Sequence, residues 1–173
     1  FSQVLISAKK GELSELKLSL TKPIKCMLAL KEDTIESAFE RTGKPAQLEN
    51  KYDGFRLQIH KHNNQIYLFT RRLENVTKQF AELIPIIKLH VKGEEFILDS
   101  EAVGYDPKTK KYLPFQNVSQ RIRRKYDIEK IAAKIPVEIN VFDIMFYNGK
   151  SMINEQFKER RELIEKIIKP KKY

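Results

Sequence analysis

At 173 residues with 41% hydrophobic side chains, the chain can form one good-sized domain with a real core, or a domain plus a tail. Lys and Arg number 33 against 23 Asp and Glu, a formal charge of +10 with a pI near 9.6. That excess favours a polyanionic partner (nucleic acid, nucleotide or an acidic surface) without choosing among them. No apolar run approaches the roughly 20 residues of a membrane span, and no signal-peptide pattern opens the chain.

The single Cys26 excludes an internal disulfide and a Cys-cluster zinc site, and fits a reducing compartment. The three histidines, His60, His62 and His90, lack metal-ligand spacing; His60 and His62 share one strand face, expected to meet solvent. Basic clusters at Arg121-Ile122-Arg123-Arg124-Lys125 and Lys169-Pro170-Lys171-Lys172 read as solvated faces or as polyanion contacts. The opening Phe1 suggests an excerpt or a processed piece.

In chain order, Glu12 to Leu20 has some helical spacing, and Thr21-Lys22-Pro23 interrupts it, as at the end of a preceding element and a linker. A new unit begins with Pro23-Ile24-Lys25-Cys26-Met27-Leu28-Ala29. A short helix follows. Asp33 and Glu36 form a capping-box-like pair, Ile35, Ala38 and Phe39 give an apolar face, and Gly43 ends it. Gln47 to Tyr52 reads as a strand end, and Phe55 to His60 alternates as a second strand. His62-Asn63-Asn64 turns that strand into another, Gln65 to Thr70, since Asn tolerates positive φ.

A helix over about 78–90 carries Phe80, Leu83, Ile84 and Ile87 on one side, with a kink or restart at Pro85. Glu95 to Val103 is a strand on which Asp99 and Glu101 share a face. Asp106 to Lys110 turns, Tyr112 to Phe115 pairs back, and Asp127 to Ile135 is a short polar helix. Val137 to Tyr147 is an apolar strand closed by Asn148-Gly149. Glu155 to Ile168 is an amphipathic helix with Phe157, Ile164 and Ile168 in register. Hairpins with helices between them, without regular βαβ alternation, predict an α+β fold of largely antiparallel strands, with two small sheets enclosing a cleft.

The chain is organised around Glu49-Asn50-Lys51-Tyr52-Asp53-Gly54-Phe55-Arg56. On an extended segment Glu49 and Lys51 face the same side. K-x-D-G by itself also fits a solvated turn lysine. The sharper reading is a nucleophile, because an amine attacks when neutral, and nearby cations and partial burial favour the neutral form. Arg56, a bound metal and a closed pocket could supply that setting. An Arg71-Arg72 pair, the acidic pair Asp99 and Glu101, and Phe142 followed by Asp143 complete a set. It holds a nucleophile, cations for phosphates, a carboxylate for metal or ribose, and a ring for base stacking. There is no G-x-x-x-x-G-K-[ST] loop, so a triphosphate would not be held in P-loop fashion.

This set resembles the ATP-dependent DNA ligases of archaeal and eukaryotic type. Lys51 to Arg56 is similar to the nucleotidyl-acceptor motif K-x-D-G-x-R. Phe69 to Thr77, Phe96 to Val103 and Val141 to Gly149 are similar to three further motifs in order, and Pro23 to Ala29 to the start of the catalytic domain. Leu113-Pro114-Phe115-Gln116 and Arg123 to Asp127 resemble the same lineage. The resemblance covers about residues 21–170.

It implies an incomplete nucleotidyltransferase (ATP-grasp-like) domain, α+β with mainly antiparallel sheets and flanking helices around a nucleotide cleft. Residues 1–22 would end a helical DNA-binding region and its linker, and 23–173 would be the N-terminal part of the adenylation domain. By the same resemblance Lys51 takes AMP from ATP, Glu49 recognises the adenine side, and Arg56 and Arg71 contact ribose or phosphate. Glu101 binds ribose and helps place Mg²⁺ or Mn²⁺, and Phe142 stacks on adenine; Arg72 and Asp143 stay open. Nicked double-stranded DNA is the implied substrate, in replication, repair and recombination. The implied enzyme is a monomer, cytoplasmic or (if eukaryotic) nuclear, with a sliding clamp reached through regions outside this chain. The resemblance lacks the family's later motif strands, an E-G-x-x-x-K type strand and a lysine-rich K-x-K type strand. The piece alone is therefore expected not to seal nicks. RNA ligases, capping guanylyltransferases and a non-catalytic nucleic-acid-binding module are the competing readings.

Overall fold

The computed structural model describes residues 9, 10 and 18–170. The helical spacing read over Glu12–Leu20 lies, apart from its last three residues, outside them. Helix α1, Ile35–Thr42, starts one residue later than its sequence signal. Thr34 rather than Asp33 is the N-cap, its hydroxyl accepting from the Ser37 N–H at 3.1 Å. Gly43, at φ 81°, ends the helix as expected. Ile35 does not join an apolar face: it is exposed, and only Ala38 and Phe39 are half-buried.

Strands β1 (Phe55–His62) and β2 (Gln65–Thr70) form the expected hairpin, with Asn63 and Asn64 both at positive φ in its turn. Val76 N–H then donates to Leu68 O at 2.8 Å, and Leu68 N–H to the Thr77 hydroxyl at 2.9 Å, covering part of the outer edge of β2. Helix α2 is Leu83–His90. Pro85 lies in its first turn, where backbone N–H groups have no intrahelical acceptor anyway, so the proline costs little there. Strand β3 (Phe96–Gly104) pairs with β1 on one side and with β4 (Val137–Tyr147) on the other. That double pairing joins all the strands into one open antiparallel sheet of order β2-β1-β3-β4-β5, where the sequence suggested two sheets. Strand β5 is only Lys150–Ser151, after the Asn148-Gly149 turn.

Helices α3 (Phe115–Ile122), α4 (Ile128–Lys134) and α5 (Phe157–Ile167) complete the order. Of these α3 was not expected. Tyr112 to Phe115 reads as a returning strand, but only the bridge Tyr105–Tyr112 forms before Pro114 opens the helix. Its Arg121 is fully buried, 4.4 Å from the Phe80 ring centroid and bonded to Ile135 O, Gln79 O and Glu82.

One sheet face is apolar. Phe55, Leu57, Ile59, Leu68, Leu98 and Ala102 pack in one cluster with Phe80, Leu83 and Ile87 around α2, Val118 of α3, and Ile164 and Ile167 of α5. The alternation of β1 then puts Arg56, Gln58 and His60 on the other face. Half-buried sheets usually leave that face to water. Here part of it is covered by residues 20–26. Gln58 accepts from Ile24 N–H at 2.9 Å and donates to Ile24 O at 2.6 Å. The His60 ring nitrogens lie 3.0 Å from Leu20 O and 3.3 Å from Gln58 Oε1.

His60 is therefore buried, not solvent-facing as its strand position suggested; His62 stays half-exposed and pairs with Glu95 at 2.8 Å. Burial lowers the His60 pKa to about 4, although Leu20 O pulls the other way. The unfolded chain, with histidine near 6.5, binds this proton first. Stability contributed by neutral His60 is thus full above pH 6.5 and lost progressively between pH 6.5 and about 4. The loss should reach about 3 kcal/mol at the acid end. Denaturant unfolding across that window, compared with His60→Gln, should show the acid slope reduced in the variant; equal slopes would exclude His60 as its source.

Candidate functional site

The far end of the second face, beyond Gln58, carries the chemistry. The loop before β1 crosses β3 there. Gly54 lies so close to β3 that an added Cβ would sit 2.3 Å from Ala102 O. Its backbone N–H faces the Glu101 carboxylate and favours its charged form. This contact, needing a residue without a side chain, seats the Lys51 loop over Glu101.

Arg56 faces Glu101 across the β1–β3 ladder and reaches diagonally to Asp99. Its Nε lies 2.9 and 3.0 Å from the two Asp99 oxygens, and Nη2 closes the fork. Burial pulls the Arg56 pKa down, but the hydrogen bonds and charge of Asp99, helped by Cys26 and Glu101, outweigh it and raise it. Asp99 is almost fully buried; burial pushes its carboxyl up, with the charge of Asp143 adding, against the pull of Arg56. Burial likewise raises Glu101, opposed by the Gly54 N–H and the charges of Arg56 and Lys51. The Phe142 ring lies with its centroid 5.6 Å from the Arg56 guanidinium. Beside them, Asp143 accepts from Arg160 of α5 through Nε at 2.8 Å and Nη2 at 3.2 Å.

Lys51, Arg56, Glu101 and Phe142 thus come together at one end of the sheet. Lys51 is exposed, so the partial burial expected around it is not provided by the described residues. Glu49 is also exposed, with Oε1 3.3 Å from Gln47 Nε2. It lines a cleft of about 660 Å³ whose walls also include Tyr52, Asn140, Phe142, Arg161 and Ile168. Lys51 is not among that cleft's lining residues. Residues 46–52 form no strand. The physical reason is that Leu48, 90% exposed, finds no apolar surface and leaves the segment without a face to bury. Arg71 and Arg72 are exposed in the turn that follows β2, where Leu73 takes φ 67°. Thr70, just before them, pairs with Leu57, which puts this turn at the same end of the sheet.

Sequence reasoning missed three neighbours of the site. Gln58 and Cys26 meet at 3.1 Å beside Arg56, and Arg160 reaches in from the first turn of α5. Only Asp143, adjacent to Phe142, carried a signal. Among the described residues no group of three or more His, Cys, Asp or Glu could hold a metal ion, and no helix is long and apolar enough to cross a membrane.

Residues 26–173 match the family described as ATP dependent DNA ligase domain. The DNA ligase of Nanoarchaeum equitans is 50% identical over 172 residues, 98% of this chain and 30% of that ligase. The DNA ligase of Methanocaldococcus jannaschii is 43% identical over 157 residues, 91% of this chain and 27% of its own length. A solved structure, a mycobacterial DNA ligase D complexed with ATP and MES, matches with a TM-score of 0.50 at 25% identity, over 68% of this chain and 35% of that one. The chain spans about three tenths of the length of these curated relatives. The order of motifs along β1, β2, β3 and β4 and the family match over most of the chain agree: it belongs to the ATP-dependent DNA ligase domain family.

Proposed function

We propose that this chain is the N-terminal part of a ligase adenylation domain, residues 23–173, with residues up to 22 leading in from a DNA-binding region. In the whole enzyme Lys51 carries AMP from ATP to the 5′-phosphate of a nick in double-stranded DNA. The observation that carries this reading is the seating of the Lys51 loop over Glu101 by Gly54, beside the Arg56–Asp99 fork and the Phe142 ring.

The neutral Lys51 amine attacks the α-phosphorus of ATP. A P–N bond forms, the bond to the bridging oxygen breaks, pyrophosphate leaves, and the amine gives up a proton. AMP then passes to the nick 5′-phosphate, and the 3′-hydroxyl displaces it. Arg56, held flat by Asp99, presents its remaining guanidinium edge to ribose or phosphate, and Arg71 offers a second cation from the adjacent turn. Phe142 stacks on adenine, and Glu49 contacts the base from the cleft wall. Glu101, freed from neither Gly54 nor its two cations, is placed for a ribose hydroxyl. Unlike Asp99, it is not taken up by an arginine fork. That fits Mg²⁺, which keeps waters and takes phosphate oxygens instead of a protein cage, and which would offset phosphate charge during the transfer. The net positive charge supports a salt-sensitive grip on the DNA backbone. A monomeric enzyme, with a clamp contacted through other regions, completes the reading.

Incubation of the full-length polypeptide with Mg²⁺ and either ATP or GTP, with pyrophosphate removed, tests it by intact mass. One adenylyl group gained from ATP and none from GTP is the expected result. A guanylyl gain would turn the reading to a capping-type enzyme, and no gain from either would end it.

A further inference from the structure

Phe142 faces the site because of a defect in the ladder, and that defect has its own support. Asp99 pairs with Asp143 and Ser100 with Val141, so Phe142 is the extra residue of a β-bulge. In a regular strand Phe142 and Asp143 would point to opposite faces. The bulge lets Asp143 stand beside Asp99 while the Phe142 ring comes within 5.6 Å of the Arg56 guanidinium. A second shift between Ile97 and Leu98 leaves only the pairs at Asp143 and Ile144 between two irregularities. Two bulges so close together weaken the ladder that would otherwise hold the strand in register.

The missing restraint is supplied from α5. Asp143 accepts from its own neighbour Ile144 N–H at 2.8 Å and from two nitrogens of Arg160. Arg160 is held in turn by Glu155 O, 2.7 Å from Nη1, and lies 5.2 Å from the Phe157 ring centroid. Both partners are largely shielded, with side chains 18% and 26% exposed, so the fork is not a loose surface pair. Arg160 also offsets the Asp143 charge next to Asp99. Without it, two carboxylates would compete for the single Arg56.

We infer that Arg160, acting through Asp143, is a positioning residue that fixes the Phe142 bulge and thereby the ring on which the nucleotide base stacks. The inference rests on the stacking role proposed for Phe142. It predicts that Arg160 matters for nucleotide binding only through that ring.

A double-mutant cycle on the full-length polypeptide separates the possibilities, with ATP affinity read by titration without turnover. Phe142→Leu and Arg160→Met should each weaken binding about tenfold, and the double variant by little more than either alone. Arg160→Lys, which cannot make the fork, should recover only part of the loss. Independent penalties that multiply to about a hundredfold would overturn the inference, as would unchanged affinity in Arg160→Met. Unchanged affinity in Phe142→Leu would instead remove the stacking role itself, with the Arg160→Met result then reporting on α5 alone. Should Arg160→Met fail to fold, Asp143→Asn takes its place in the same cycle with the same two outcomes.

Discussion

Lys51→Ala is expected to abolish adenylylation of the full-length polypeptide, leaving its intact mass unchanged after incubation with ATP and Mg²⁺. Lys51 lies three residues before the glycine that seats the loop over Glu101, and alanine has no atom that can form the P–N bond. The loss should reach background and not a fraction of the wild-type rate. Folding should be unaffected, because Lys51 is exposed and packs against nothing in the core. A nick that already carries AMP on its 5′-phosphate bypasses the missing amine, so the variant should still seal that substrate measurably. Failure on the preadenylylated nick would give Lys51 a further role in closing the phosphodiester. Retention of adenylylation would move the nucleophile elsewhere.

Gly54→Ala is expected to lower the adenylylation rate about a hundredfold while leaving a folded protein. The added methyl would lie 2.3 Å from Ala102 O and 3.1 Å from Cγ of Glu101. Ala102 lies near the C-terminal end of the central strand, but it is paired with both Phe55 and Ile139 and cannot retreat without disturbing both ladders. The loop must therefore lift, which takes the Gly54 N–H away from Glu101 and carries Lys51 with it. A displacement of about 1 Å at a reacting group costs on the order of 10²-fold. The thermal midpoint should fall modestly, since the loop contributes nothing else to the core. A rate within threefold of wild type would show that the loop reseats, and that the close approach to β3 does not set the position of Lys51.

Local pattern was enough for the strands. Alternation placed Phe55 to His60, all but the last two residues of β1, and Gln65 to Thr70, and His62-Asn63-Asn64 marked the turn between them, because both signals act within a few residues. The apolar run Val137 to Tyr147 was readable for the same reason. Asp99 and Glu101 on one face followed from period two alone. What could not be read depends on partners far along the chain. His60 looked solvated because the segment that buries it, around Leu20, lies 40 residues upstream. The bulge at Phe142 exists only in the register of β4 against β3, so neither strand shows it by itself. Arg121 appeared as one charge in a basic run, and its burial needs Phe80 and Ile135 around it. Gln47 to Tyr52 read as the end of a strand but offers no apolar surface for Leu48 to cover and forms none.

The central position of β3 also has a consequence for when the site comes into being. Arg56 and Asp99 are 43 residues apart, and Phe142 joins them only after β4 has docked on the other side of β3. During synthesis Lys51 emerges in a chain that holds at most the β1–β2 hairpin, with neither Glu101 nor the stacking ring opposite it. Contacts of such long sequence separation form late and slowly, because the loop-closure entropy is lost before the contacts reward it. With Lys51 as the proposed nucleophile, a nascent or half-folded molecule would have the amine but no means of holding a nucleotide against it. On the role proposed for Lys51, acquisition of AMP would report on completion of the β1–β3–β4 ladder, the amine staying chemically silent until the sheet around it is whole.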